Sequence, residues 1–353
     1  MYHAGPKPNL FTNALLIAAC ILTCHLQTAF PAAAKRPKPP IPDVTLAAIQ
    51  NQTPRLDSAG SIMDVHDGCL EFFQGTFYLY GTKYAETDGF TTANRYVCYS
   101  SPDLNTWHFQ GELLSESTPA GVYYRPYVKY NPNTKLYVLW YNWYPTLWDG
   151  QYGVATSPTP QGPFTIQNGN VKVANEKPGD HGLLIDDDGQ AYLIYTSIAK
   201  NHAVSVEKLA PDYLSSTLEN SGIIAENCEA AAMIKTNNLY YAFFDNCCCF
   251  CPQGTGARVY TADSPLGPYT LRGNINRHDN DQVIIPAQQT HIAAIPTPSG
   301  KKFIWMGDLW GSRPDNIKGH DLQYWSSPLI FNEDGSIQKL KNDPSWTIQL
   351  LKP

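Results

Sequence analysis

Five copies of an aromatic-rich strand, about 50 to 60 residues apart, predict an all-β chain folded as a five-bladed β-propeller. Two further observations agree. The copies are introduced by tight turns of Gly, Asn or Asp type. The composition is rich in Tyr (22), Trp (8), Gly (25) and Pro (28) and low in charge, at 16%. That mix suits short strands joined by turns rather than helices or disorder. A β-sandwich is the alternative, but it explains alternating strands without explaining five matched units.

The first copy is Gly75-Thr76-Phe77-Tyr78-Leu79-Tyr80-Gly81. The second is Lys135-Leu136-Tyr137-Val138-Leu139-Trp140-Tyr141, after the turn Asn131-Pro132-Asn133-Thr134. The third, Gln190-Ala191-Tyr192-Leu193-Ile194-Tyr195, follows Asp186-Asp187-Asp188-Gly189. The fourth is Asn238-Leu239-Tyr240-Tyr241-Ala242-Phe243-Phe244 and the fifth Lys302-Phe303-Ile304-Trp305-Met306-Gly307. Asn, Asp and Gly tolerate the left-handed backbone that hairpin turns require. A second strand ending in a Ser-Pro turn follows most copies, as in Tyr99-Ser100-Ser101-Pro102 and Trp325-Ser326-Ser327-Pro328. The third copy is weaker, around Ala203 to Pro211.

The ends of the chain read differently. Lys7 precedes an apolar run of 11 residues, Ala14 to Cys24, too short to span a bilayer comfortably, and Ala32-Ala33-Ala34 follows. Residues 1–34 read as a signal peptide of a secreted protein, with an uncleaved signal anchor as the alternative. Residues 35–50 read as a Pro-rich linker and 51–353 as the propeller. Nine cysteines, two of them in the leader, leave an odd count, so that disulfides would leave one thiol over. The Cys247-Cys248-Cys249-Phe250-Cys251 cluster reads as a disulfide-stapled loop rather than a zinc site, for want of spaced pairs or nearby histidines. Asn51-Gln52-Thr53 is a glycosylation sequon, with Pro54 after it lowering its use. The net charge of −6 carries no basic run of the kind that binds nucleic acid.

In a propeller, one mouth of the channel gathers residues from every blade, so polar residues just before each main strand can face one another. Carboxylates stand there: His66-Asp67-Gly68 in blade one, Gly179-Asp180-His181 in blade three and Cys228-Glu229-Ala230 in blade four. Blade five offers Gln288-Gln289-Thr290-His291. Glycoside hydrolysis needs one protonated acid and one ionised carboxylate, and a third carboxylate nearby would raise the pKa of the acid. Each residue has a plainer reading as a turn cap. Glu229 is least suited to it, since it opens the apolar run Glu229-Ala230-Ala231-Ala232-Met233-Ile234. Trp143, Trp148 and Trp310, with Tyr123 and Tyr144, offer faces for sugar stacking or for packing between blades.

These residues resemble glycoside hydrolase family 43 over about residues 55 to 335. Asp67 before Gly75-Thr76-Phe77-Tyr78-Leu79-Tyr80-Gly81-Thr82 is similar to the family's first-blade motif, with Gly68 in place of the usual Pro. Leu183 to Tyr195 is similar to its third blade, and Glu229-Ala230-Ala231 before Tyr240-Tyr241 to its fourth, with Ala231 in place of Pro. The resemblance implies Asp67 as general base, Asp180 as pKa modulator and Glu229 as general acid of an inverting enzyme. It implies no required cofactor. His291, at the position of a fifth-blade His, would help hold a water-coordinated ion, so that a structural calcium in the central channel is compatible with the family.

The exo-β-1,3-galactanase branch, with its galactofuranosidase and arabinofuranosidase neighbours, is the nearest in pattern. Tyr124-Arg125-Pro126-Tyr127-Val128-Lys129-Tyr130-Asn131, Gln288-Gln289-Thr290 and Gly307-Asp308-Leu309-Trp310 resemble it. They give Tyr124, Arg125, Gln288 and the three tryptophans as substrate-binding candidates. Tyr124 replaces the Glu of those galactanases, and Asp67 is present where they tend to lack the base. Both departures favour two-carboxylate inversion, with the acid and base about 6.5 to 9.5 Å apart. The expected activity is the release of terminal galactosyl or arabinofuranosyl units from oligosaccharides or polysaccharides by a monomer. The alternative is a non-catalytic sugar-binding propeller, which would have lost an acid or a base.

Overall fold

The computed structural model describes residues 44–114 and 119–351. The expected leader, 1–34, lies outside them, as does the linker as far as residue 43. Five antiparallel sheets correspond to the five repeats. Blade 1 is built from His66–Phe73, Thr76–Lys83, Arg95–Ser101 and His108–Glu112, and blade 2 from Val122–Asn131, Leu136–Tyr144, Gln151–Ser157 and Thr165–Asn168. Blade 3 holds Pro178–Ile185, Ala191–Ser197, Ala203–Leu209 and Ser216–Asn220, and blade 4 Cys228–Thr236, Leu239–Asn246, Arg258–Ala262 and Thr270–Asn274. Blade 5 has three strands, Gln288–Thr297, Gly300–Leu309 and Leu322–Trp325. The first strands pack on one another in a ring: blade 1 on 2, 2 on 3, 3 on 4, 4 on 5, and 5 back on 1. That closed ring is the propeller.

The aromatic repeats are the second strands of their blades. Each lies between two neighbours of its own sheet and between two blades, so both of its faces are dry and its side chains are large. Tyr80, Trp140, Tyr195, Phe243 and Trp305 are fully buried. Burying an aromatic of this size contributes about 1.5–3 kcal/mol. Its polar tip still needs a partner, and Trp140 Nε1 donates to Tyr213 O at 2.7 Å. The outer strands read poorly in sequence because they are wet on one side; His108–Glu112 and Thr270–Asn274 are largely exposed.

Residues 44–50, expected within the linker, are instead a strand. Val44–Gln50 pairs antiparallel with Ser345–Leu351 in unbroken register, Val44 opposite Leu351 and Gln50 opposite Ser345. Alternation explains it: Ala47 and Ile49 on one strand, Ile348 and Leu350 on the other, all enter the apolar cluster between blades 5 and 1. Asn51 fastens this pair to the edge of blade 5. Its Nδ2 donates to Trp325 O and Asp343 O, each at 3.0 Å, and its Oδ1 accepts from Trp325 N at 3.0 Å. The sequon asparagine therefore has its side-chain amide buried and fully used, which leaves no place for a glycan in the folded chain.

The cysteine loop is stapled by a disulfide as expected, Cys248–Cys251, but among the described residues five cysteines are free rather than one. Cys69, Cys98 and Cys228 are buried, where they pack as small apolar residues.

Candidate active site

The first strand of every blade breaks register near its start, at Asp67-Gly68, Arg125-Pro126, Gly179-Asp180, Ala230-Ala231 and Thr290. Bulges of this kind re-aim a side chain away from the ladder. Asp67, Arg125 and Ala230 sit there with φ of 60°, 51° and 55°, a left-handed backbone that non-glycine residues seldom adopt. Gly68 follows from the same geometry: a Cβ on it would lie 1.6 Å from Tyr80 O. The bulges turn Asp67, Arg125 and Asp180, with the neighbouring Tyr124, Glu229 and Gln288, into one pocket at one mouth of the channel.

A chain of ion pairs and hydrogen bonds crosses this pocket. Arg125 Nε lies 2.8 Å from Asp180 Oδ1, and its Nη2 lies 3.8 Å from Asp67 Oδ1. Asp180 Oδ2 accepts from Ala230 N at 3.0 Å, the residue after Glu229. Arg125 and Asp180 thus stand between Asp67 and Glu229. Tyr84 donates its hydroxyl to Asp67 Oδ2, and Tyr84 is set by Asp64, whose Oδ1 accepts its backbone N–H at 2.9 Å. The backbone N–H of Asp67 donates to Asp308 Oδ2 at 2.8 Å, while Asp308 Oδ1 lies 3.0 Å from His66 Nδ1. Burial works against a charge on His66, but Asp308 and Asp64 outweigh it and hold its pKa at about 9.

On the far side of the pocket, Glu229 Oε1 lies 3.1 Å from His202 Nδ1 and 3.3 Å from Cys247 Sγ. His202 follows a short 3-10 turn, Ile198–Lys200. Asn201 and His202 are both left-handed, with φ of 58° and 50°. Blade 4 clamps that turn: Asn227 N donates to Asn201 O and Cys228 N to His202 O, both at 3.0 Å.

The carboxylates titrate apart. Burial raises Asp67 to about 6, against the pull of Arg125 and with a further push from Asp308. Burial likewise raises Asp180, opposed by Arg125 and reinforced by Glu229. Glu229 goes the other way. Burial pushes it up, but its hydrogen bonds with His202 and Cys247, and the charges of His202 and Arg125, bring it below the ordinary glutamate value. His202 is raised by that same hydrogen bond to Glu229. The expectation that a third carboxylate raises Glu229 is therefore not met in the sugar-free pocket. Asp180 is paired with Arg125, and Glu229 is held down by its neighbours. A fourth carboxyl, Asp245, pairs with Glu229 across the blade 4 hairpin, and burial beside Glu229 drives it well above its usual value.

Of the sequence-derived residues, Asp67, Tyr124, Arg125, Trp148, Asp180, Glu229 and Gln288 line the pocket. Tyr124 donates its hydroxyl to Gly89 O at 2.9 Å. Three candidates lie elsewhere. Trp143 is buried between blades, its Nε1 donating to Gly169 O at 2.7 Å. It pairs with Tyr123, and alternation along the strand turns both away from the mouth. Trp310 is buried behind the wall, donating to Gln288 Oε1 at 2.7 Å with its ring edge-on to Tyr84 and Phe250. His291 lies below the pocket, 3.7 Å from Glu71 Oε1. Burial beside Lys129 pushes its pKa well down, so it is neutral. Calcium asks for about six to eight oxygen ligands. The carboxylates Glu71 and Asp187 line the cavity beside His291, and Glu71 is held by Lys129 Nζ at 2.5 Å. An ion here would take most of its oxygens from water.

Tyr84, Phe90, His202, Cys249 and Phe250 also line the pocket. They escaped sequence reasoning because they come from loops rather than repeat positions. The signal that was present is Tyr144, next to Trp143 and one alternation step toward the pocket.

A ring of five blades carrying buried carboxylates into one pocket defines the class of sugar-cleaving propellers. Residues 62–314 match the family model described as glycosyl hydrolases family 43, and the chain belongs to that family. An arabinoxylan arabinofuranohydrolase of Paenibacillus polymyxa is 27% identical over 235 residues, 56% of this chain and 35% of that protein. The chain thus spans about a third of the length of the curated relative it matches. The exo-β-1,3-galactanase of Phanerochaete chrysosporium superposes with a TM-score of 0.73 at 25% identity, over 86% of this chain and 68% of the other. That of Clostridium thermocellum superposes with a TM-score of 0.74 at 24% identity, over 87% and 68%.

Proposed function

We propose that the chain is an inverting, exo-acting glycosidase that removes terminal galactosyl or arabinofuranosyl units from oligosaccharides or polysaccharides outside the cell. The observation that carries this is the placing of Asp67 and Glu229 in one pocket, from blades 1 and 4, with the Arg125–Asp180 pair between them. Inversion asks for acid and base about 6.5–9.5 Å apart, because a water must fit between the base and the sugar.

In this reading Asp67 takes a proton from the attacking water. With its pKa near 6, it is ionised at neutral pH yet basic enough to accept that proton. Tyr84 and Arg125 orient it. Glu229 gives a proton to the leaving oxygen. The proton is stored in the His202–Glu229 ion pair, as imidazolium and carboxylate while water is present. A bound sugar expels that water and disfavours the ion pair, so the proton moves to Glu229 Oε1. Water's proton ends on Asp67, the alcohol leaves with the other, and solvent exchange restores both groups. Tyr124, Trp148 and Gln288 contact the sugar, Trp148 through its half-exposed face. The galactosyl and arabinofuranosyl preferences rest on the sequence motifs and on the activities named for the relatives. The reading also takes the protein as a monomer made with a leader over residues 1–34.

The test is turnover of nitrophenyl galactopyranoside, galactofuranoside, arabinofuranoside and xyloside, and of β-1,3-galactan, by the unaltered chain and by Glu229→Gln. Loss of at least about 100-fold in Glu229→Gln, with the inverted anomer seen first by NMR, is expected. Turnover undiminished in Glu229→Gln overturns the acid role, and no turnover on any substrate favours a binding-only propeller.

A further inference from the structure

The disulfide Cys248–Cys251 leaves its two odd neighbours, Cys247 and Cys249, as free thiols open to solvent. Both aim at the same carboxylate. Cys247 Sγ lies 3.3 Å from Glu229 Oε1, and Cys249 Sγ lies 3.6 Å from Oε1 and 3.7 Å from Oε2. His202 Nδ1 reaches Oε1 at 3.1 Å. The donor atoms of His202, Glu229 and Cys247 all lie within 4.8 Å of one another.

A tetrahedral zinc ion with nitrogen and oxygen at about 2.0–2.1 Å and sulfur at about 2.3 Å sets donor–donor edges of about 3.3 to 3.8 Å. The distances of Glu229 Oε1 to His202 and Cys247 are close to such edges. We infer that His202 Nδ1, Glu229 Oε1 and Cys247 Sγ form a site for Zn²⁺, and that Cys249 Sγ, outside that cluster but within 3.7 Å of the same carboxylate, turns in as the fourth donor.

Three features support a built site. The donors come from three separate segments that backbone hydrogen bonds lock together at one point: Cys228 N to His202 O at 3.0 Å and Cys247 N to Asn227 O at 3.2 Å. His202 is held in a left-handed conformation that turns its ring toward Glu229. The disulfide and the Phe250 ring, packed on Trp310 and Phe90, hold the cysteine loop over the carboxylate. The donor chemistry is selective as well, since thiolate and imidazole favour zinc over magnesium or calcium. Binding is balanced by protons: Zn²⁺ replaces the two S–H protons and the proton shared by His202 Nδ1 and Glu229, and all three leave to solvent.

The consequence rests on the proposed role of Glu229. A carboxylate oxygen bonded to zinc cannot carry a proton to a leaving group, so zinc reversibly silences turnover.

Calorimetric titration of the full chain with zinc chloride, its disulfide intact, is expected to give one ion per chain. Cys247→Ser/Cys249→Ser, checked for unchanged circular dichroism, is expected to bind at least 100-fold more weakly. Cobalt(II) should give a thiolate charge-transfer band in the unaltered chain and none in the double variant. Equal zinc affinity for the two proteins, or no such band, overturns the site. In parallel, zinc should abolish glycoside turnover with the same midpoint as binding, with recovery on adding chelator. Zinc that binds through the cysteines but leaves turnover intact upholds the site and overturns the acid role of Glu229 instead.

Discussion

Arg125 Nε and Asp180 Oδ1 are joined at 2.8 Å between blades 2 and 3, and the same guanidinium leans on Asp67 of blade 1 at 3.8 Å. One fully buried cation thus serves two carboxyls that burial alone would leave neutral. Replacing it by Arg125→Met strands both. Breaking a buried pair costs about 3–5 kcal/mol, which a melting curve will record. Arg125 holds Asp67 down, so its loss moves Asp67 upward from about 6. The acid limb of kcat/KM should shift to higher pH, and the loss of rate should be greater at pH 6 than at pH 8.

Tyr84→Phe tests Asp67 more gently. The hydroxyl donates to the ionised carboxylate and lowers its pKa. Without it, Asp67 titrates higher and the acid limb again moves up, while the melting temperature changes little. An acid limb that stays in place would show that Asp67 is not the group titrating there.

His202→Asn should move the opposite limb. His202 holds its proton above the ordinary histidine range because of Glu229. The pair stays loaded until that proton is lost as pH rises. Glu229 without its partner loses its proton in the carboxylate range, so the basic limb of kcat should fall to lower pH. At pH 7 a loss of about 100-fold is expected, smaller at pH 5.

The two tryptophans near the mouth should separate cleanly. Trp148 is 44% exposed at the pocket edge. Trp148→Ala should raise KM and change stability by no more than about 0.5 kcal/mol. Trp143 is buried between blades, and Trp143→Ala should cost about 3–5 kcal/mol with KM nearly unchanged. The opposite pattern would return Trp143 to the sugar platform.

Asn51→Ala should weaken the seam between the first and last strands. It leaves Trp325 N without its partner at 3.0 Å, while Trp325 O still accepts from Trp346 Nε1. The cost is about 1–3 kcal/mol by denaturant unfolding. Mass spectrometry of the chain produced through a glycosylating secretory host should find Asn51 unmodified.

The blades were legible because their second strands are dry on both faces and must be written in aromatics. Asp67, Asp180 and Glu229 were legible because each stands at the start of a first strand, a place the repeat itself marks. What surrounds them was not. Asp308 touches the backbone of Asp67 from 241 residues away, and nothing local announces such a contact. His202 reaches Glu229 through two left-handed residues in a loop of no regular pattern. Trp143 and Trp310 were misplaced because an aromatic letter reports size and not the side of the strand. The strand over 44–50 was hidden by the prolines before it.

The recurring bulge has a consequence for how such a pocket changes over time. The working side chains stand at or beside places where the ladder has already been interrupted, and the strands below each break keep their register. The frame can therefore persist while the pocket changes. Asp67, Arg125 and Asp180, however, are joined across three blades and can only change together.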